Sequence, residues 1–146
     1  MVNLLSKFIS PAVFEWDQAM NAAAADAGIG EAANASGIPG AANPLGSPSH
    51  TAFAQQFAAR YPRPTATIDD VVAHCEQIRA VAGIEHMGIG ADYDGGDPFP
   101  VGLRDVSTYP RLLDALAARG WSSDDLDKLG HRNVIRVLRE IEDAAG

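Results

Sequence analysis

The clearest pattern in the chain lies between positions 67 and 83, where Ile68, Val71, Val72, Cys75 and Ile78 recur at i, i+3, i+4, i+7 and i+10 among polar residues. That spacing lines one face of a helix with apolar side chains. Thr67 ahead of the run is a capping residue and Gly83 behind it a stop, so one amphipathic helix is predicted between them. The period then changes. In "EHMGIGAD", Met87, Ile89 and Ala91 alternate with His86, Gly88 and Gly90, which predicts a buried strand whose glycines let a neighbour pack closely. Asp92 and Asp94 fall at its carboxyl end. Further on, Ser107 or Thr108 caps a helix with Pro110 in its first turn, apolar Leu112, Leu113 and Leu116, and a stop at Gly120. Ser122 or Ser123 opens another helix through Leu129. Val134, Val137, Leu138 and Ile141 stripe a last one that begins near Asn133.

The amino-terminal side is less regular. "MVNLLSKFI" begins apolar with no polar lead, as a chain does in the middle of a strand. Residues 12–25 predict a helix with Pro11 near its first turn and a thin apolar face of Trp16 and Met20. From Asn21 to His50, 24 of 30 residues are Ala, Gly, Pro, Ser or Asn, too few large apolar side chains to bury much surface. A long, partly mobile loop is predicted there. Phe53 and Phe57, four apart, indicate a short helix from Thr51 to Arg60, ended by "YPRP". Helix, strand, loop and three helices in that order read as the tail of an α/β protein.

Composition narrows the function. With 146 residues and 47% hydrophobic content the chain suits a single domain with a real core. A net charge of −8 argues against a nucleic-acid partner, which needs basic residues to neutralise phosphates. No apolar run approaches the roughly eighteen residues of a membrane span, and the amino terminus lacks the pattern of a signal peptide, which leads to the expectation of a soluble chain of unassigned location. Cys75, the single cysteine, forms no intrachain disulfide and lies on an apolar helix face, where it reads as a small core residue. His50, His74, His86 and His131 form no H-x-H or H-x-x-x-H pair, so no complete metal site is expected within the chain.

The stretch "GIGADYDGG" admits fewer readings than it first suggests. Counted from Asp92 as a calcium loop of the EF-hand type, position 5 is Gly96, position 6 is Asp97 and position 12 is Leu103, which breaks the ligand pattern. A dinucleotide fingerprint from Gly88 needs a third glycine where Tyr93 stands, and carboxylates here would repel a pyrophosphate. Two readings remain open on the residues themselves. Asp92 sits at the carboxyl end of a barrel strand, where such enzymes place their chemistry, or Asp92 and Asp94 simply turn the chain.

The segments "TIDDVVAHCEQIRAVAGIEHMGIGADYDGG" and "GLRDVSTYPRLLDALAARGWSSDDLDKLGHRNVIRVLREIE" closely resemble the carboxyl-terminal part of the membrane (renal-type) dipeptidases, peptidase family M19. The resemblance spans about Thr67 to Glu142, and "MVN" is similar to the family's penultimate barrel strand. It rests on the G-I-x-H-x-G-I-G-x-D-x-D-G strand, the G-L-x-D-V-S-x-Y-P-x-L helix entry and the N-x-x-R-V terminal helix, found in the family's order. "LGHRN" departs from it, since members usually carry two glycines directly before the asparagine. The loop of residues 21–50 is also longer than in many members.

The resemblance implies an α/β fold, the carboxyl-terminal part of a metal-dependent-hydrolase (β/α)8 TIM barrel, namely its last two strands plus the terminal helices. Residues 1–146 would form a single partial domain, because a complete barrel needs roughly 250 residues. It implies a zinc metallodipeptidase acting on dipeptide substrates, with possible homodimers of the full-length parent. The family's two zinc ions are held by residues that have no counterpart here, so this chain by itself is expected to be inactive and without zinc. The family role that carries over belongs to Asp92, as a catalytic and substrate-binding residue that contacts the dipeptide and assists proton transfer. Asp94 is assigned to ordering the loop. The alternative is a non-catalytic truncated product or a partner-dependent binding module. Either way, the faces carrying Leu112, Leu116, Val134, Val137 and Ile141 are expected to lack partners.

Overall fold

The computed structural model of the protein describes residues 1–29, 48–94 and 98–146. In chain order its helices are α1 (Ser6–Ile9), α2 (Pro11–Asp26), α3 (Pro48–Arg60), α4 (Ile68–Ala82), α5 (Tyr109–Ala118), α6 (Ser123–Asp127) and α7 (Asn133–Ala145). Two tight 3₁₀ turns, Ile84–His86 and Val106–Thr108, precede the glycine-rich segment and α5, and one π-helical turn, Lys128–Arg132, joins α6 to α7. Contacts divide the chain into two compact units, Met1–Ile9 with Ala66–Gly146, and Ser10–Thr65.

Capping fixes the helices of the first unit. Thr67 Oγ1 accepts from the Asp70 amide while the Asp70 carboxylate accepts from the Thr67 amide, and Ser122 and Asp125 repeat the arrangement at α6. Gly83 and Gly120 end α4 and α5 at φ 80° and 86°, values a side chain would resist. The core between them gathers Leu4, Val71, Val72, Cys75, Leu103, Leu112, Leu116 and Leu129, all fully or almost fully buried. Leu112 and Leu116 are therefore not partnerless as the sequence suggested. Their face of α5 packs on α4. Arg79 ties α4 to α6, pairing with Asp125 at 2.8 Å and lying over the Trp121 ring at 4.6 Å.

The expected barrel strands are absent. Among the described residues there is no strand and no sheet, only one parallel bridge between Val2 and Ile89. The Val2 amide donates to Gly88 O at 2.6 Å and the Gly90 amide returns to Val2 O at 2.9 Å. A parallel ladder needs such bonds repeated along both chains. Here the Asn3 side chain takes the Leu5 amide and α1 coils from Ser6, while the other segment turns at Asp92, so pairing stops almost where it starts. The reading as the last two strands of a (β/α)8 barrel is therefore replaced by helices packed around two short extended segments. His86 changes place with it: it closes a 3₁₀ turn, exposed, and starts no strand. The glycines do permit close packing, since a Cβ on Gly88 would stand 2.9 Å from Met1 Sδ and one on Gly90 2.9 Å from Met1 Cβ.

The second unit is a helical pair. α2 starts at Pro11 as expected and extends to Asp26, further than the loop reading allowed, and α3 begins earlier, at Pro48. Phe57 packs edge-on against Trp16 at 5.3 Å and tilts against Tyr61 at 4.9 Å. Arg63 grips both Asp17 oxygens at 2.8 Å and covers the Trp16 ring. The central part of the predicted 21–50 loop, residues 30–47, lies outside the described residues.

Candidate functional site

Asp92 stands where the second extended segment ends. Ala91 before it is buried, Tyr93 after it is half-buried, and the Asp92 side chain is exposed. Both stems of its loop are held by the amino-terminal segment: the Leu4 amide reaches Ala91 O at 3.4 Å and the Ser6 amide donates to Pro98 O at 3.1 Å. Asp92 itself has φ 64°, the left-handed region that aspartate and asparagine tolerate better than other side chains. The backbone thus projects this carboxylate out of the paired segment. Asp94 is exposed on the following turn. Residues 95–97, which complete the acidic loop, lie outside the described residues.

Beneath the loop sits an aromatic cluster that sequence reasoning did not find. The Tyr93 ring packs against Phe99 at 4.8 Å and Tyr109 at 5.9 Å. Burial pushes both phenols up, with the Asp105 carboxylate adding to the effect at Tyr93 and Tyr93 adding to it at Tyr109. The nearby Thr108 hydroxyl offsets part of the rise at Tyr93 and donates to the Asp105 carbonyl, and the Tyr93 hydroxyl is buried with no hydrogen-bond partner among the described residues. Both tyrosines therefore stay neutral at ordinary pH and act by packing. Tyr93 and Tyr109 are spaced like ordinary core aromatics, and no sequence signal joins them to Asp92.

A second feature joins the terminal helix to this segment. Asn133 is 5% exposed, and its Nδ2 donates to Ile84 O at 2.6 Å and Met87 O at 2.9 Å, while Arg136 donates to Glu85 O at 2.8 Å. Three residues apart on one helix face, the pair clasps the turn leading into Gly88–Ala91. The N-x-x-R spacing was visible, but an asparagine at a helix start reads as a cap, and only the fold reveals the clasp.

The remaining candidates part from the loop. Cys75 is fully buried, and burial, followed by the neighbouring Glu76 carboxylate, pushes its thiol up to about 12. That makes it a core residue and no nucleophile. Alkylation of the native protein with iodoacetamide at pH 8 should run at least about 10²-fold slower than in urea, given the lost thiolate and access; a rate within threefold of the unfolded chain would remove Cys75 from the core. Because the folded pKa is raised from about 9, the associated stability is complete below pH 9 and falls as pH rises towards 12. Among the described residues no group of three or more His, Cys, Asp or Glu could hold a metal ion. No helix among them is long and apolar enough to cross a membrane.

The profile of the family described as membrane dipeptidase (peptidase family M19) matches residues 1–146, and the chain belongs to that family. Human Dipeptidase 3 is 47% identical over 77 residues, which is 53% of this chain and 16% of that protein. Dipeptidase tcpJ of Claviceps purpurea is 44% identical over 80 residues, and an uncharacterized dipeptidase of Schizosaccharomyces pombe is 46% identical over 92. These stretches cover 55% and 62% of this chain but 19% and 22% of the two relatives, so the chain spans about a fifth of the curated relatives it matches. The crystal structure of the probable dipeptidase PvdM from Pseudomonas aeruginosa is alike in fold, with a TM-score of 0.62 and 22% identity over 92% of this chain and 34% of that one.

Proposed function

We propose that the chain serves in a dipeptidase, with Asp92 as the carboxylate that contacts the dipeptide and carries a proton during hydrolysis. The observation behind this reading is Asp92 itself: an exposed carboxylate held out by a left-handed backbone from a loop fastened at both stems. Hydrolysis adds water across the peptide bond, the oxygen going to the carbonyl carbon and a proton to the departing amine nitrogen. A carboxylate in reach of both can accept the proton and deliver it, and in its charged form it can hold the dipeptide's ammonium group. The two zinc ions that the family resemblance implies do not fit the described residues, which offer no ligand cluster.

The reading is tested by fusing residues 1–146 in place of the matching region of the S. pombe dipeptidase and assaying dipeptide cleavage by release of free amino acids. The fused protein should cleave dipeptides that the unmodified relative cleaves. A fusion that folds and carries the relative's metal content, yet cleaves none of them, would overturn it.

A further inference from the structure

We infer that Tyr93 is a positioning residue for Asp92, its ring fixing the left-handed backbone that aims the Asp92 carboxylate. The inference rests on the dipeptidase reading of Asp92 and adds to it the side chains that hold that carboxylate in place.

Asp92 has φ 64°, and a residue other than glycine keeps such a backbone only where its surroundings fix it. On the amino side stands Ala91, buried, its carbonyl accepting from the Leu4 amide at 3.4 Å. On the carboxyl side stands Tyr93. Its ring packs against two others, Phe99 at 4.8 Å with the planes inclined by 57° and Tyr109 at 5.9 Å with an inclination of 32°, spacings at which aromatic pairs attract. Both partners are anchored. Phe99 follows Pro98, whose carbonyl takes the Ser6 amide at 3.1 Å, and Tyr109 opens α5. All three rings pack in turn on the core that holds Leu103, Leu112 and Leu116. The Tyr109 phenol also approaches the Ala91 amide, which favours its ionised form against the effect of burial, so this one side chain borders the residue on either side of Asp92.

Without its ring, position 93 loses both contacts, and Asp92 is released to the extended or right-handed backbone that L residues favour. Either change swings the carboxylate about its own Cα. General acid and base work needs that carboxylate within hydrogen-bond reach of the proton it moves, and a displacement of about 1 Å costs about 10²-fold in rate. The ring is the part that acts, because both contacts are made through it. A residue that only held the fold together would change how much protein is folded and leave the rate of each folded molecule alone.

The test measures turnover per folded molecule in the fused dipeptidase described above, for Tyr93→Leu with and without Asp92→Asn. Tyr93→Leu alone should lower turnover by about 10- to 100-fold, and Tyr93→Phe, which restores the ring, should bring it back to within about threefold of the parent. With Asp92→Asn already present, adding Tyr93→Leu should cost no more than about twofold further, since a residue that acts through Asp92 then has nothing left to position. Phe99→Leu removes the same ring pair from its other side and should show the same dependence on Asp92; it decides the matter where Tyr93→Leu fails to fold. A Tyr93→Leu protein that turns over as fast as the parent, or that loses the same factor in both backgrounds, would overturn the proposal. So would a Tyr93→Phe protein as slow as Tyr93→Leu. The two readings fail separately: an Asp92→Asn protein as fast as the parent refutes the role of Asp92 and with it that of Tyr93, whereas a slow Asp92→Asn beside a fast Tyr93→Leu refutes only that of Tyr93.

Discussion

Asp92→Asn in the fused dipeptidase should lower turnover by roughly 10²- to 10⁴-fold, the span usual for loss of a general acid or base, with metal content unchanged. Asparagine is the informative replacement because of the backbone. At φ 64° most side chains add strain, whereas asparagine accepts the left-handed region as aspartate does and keeps the size and shape of the side chain. What it removes is the negative charge and the proton acceptor. Asp94→Asn is the comparison, one turn further along an equally exposed stretch. If both carboxylates only shape the loop, the two variants should lose stability and keep their rate per folded molecule. If Asp92 serves the reaction, it alone should lose rate, and Asp94→Asn should stay within a few-fold of the parent. A fusion with Asp92→Asn that turns over dipeptide within threefold of the parent would sink the assignment.

Legibility along this chain follows where the information is stored. Helices declare themselves locally, through a period of side chains and a cap at each end, and α4 and α5 begin and stop where Thr67, Gly83, Pro110 and Gly120 said they should. The extended segment at Met87–Ala91 does not, because a strand is defined by bonds to another segment. Alternation in "MGIGA" describes two faces but supplies no neighbour, and among the described residues only Val2 is there to pair. Burial shows the same divide. The stripes on α5 and α7 look alike in sequence, yet Leu112 and Leu116 are fully buried in the core while Val134 and Ile141 stay 38% and 59% exposed. Asp92 was visible as a carboxylate after glycines, but its left-handed backbone and the tyrosine packing under it depend on contacts between distant positions.

Asn133 carries the second large effect, on stability. Its amide nitrogen satisfies two carbonyls, Ile84 O and Met87 O, that belong to the turn setting the course of Gly88–Ala91. Asn133→Ala removes both donors at a site that is 5% exposed, leaving Met87 O unmet while Ile84 O keeps the Met87 amide at 3.3 Å; an unmet buried acceptor costs about 1–3 kcal/mol, so a loss of about that size is expected. Asn133→Asp should be worse at neutral pH. It has nearly the same shape, but it places a carboxylate against two carbonyl oxygens, and an unpaired buried charge costs about 3–5 kcal/mol. The two variants separate on titration. Burial and the facing carbonyls raise the introduced carboxyl's folded pKa above its unfolded value near 4, so the excess loss is absent below about pH 4 and grows as pH rises through that value. Below it the protonated group can donate to one of the two carbonyls, and Asn133→Asp should then match or exceed Asn133→Ala in stability. Arg136→Ala gives the contrast, since its partly exposed bond to Glu85 O should be worth about 1 kcal/mol at most. Urea melts of the three variants at pH 4 and pH 7 decide it: losses for both Asn133 variants no larger than that of Arg136→Ala would mean that water replaces the clasp and that the course of the Asp92 segment is set elsewhere.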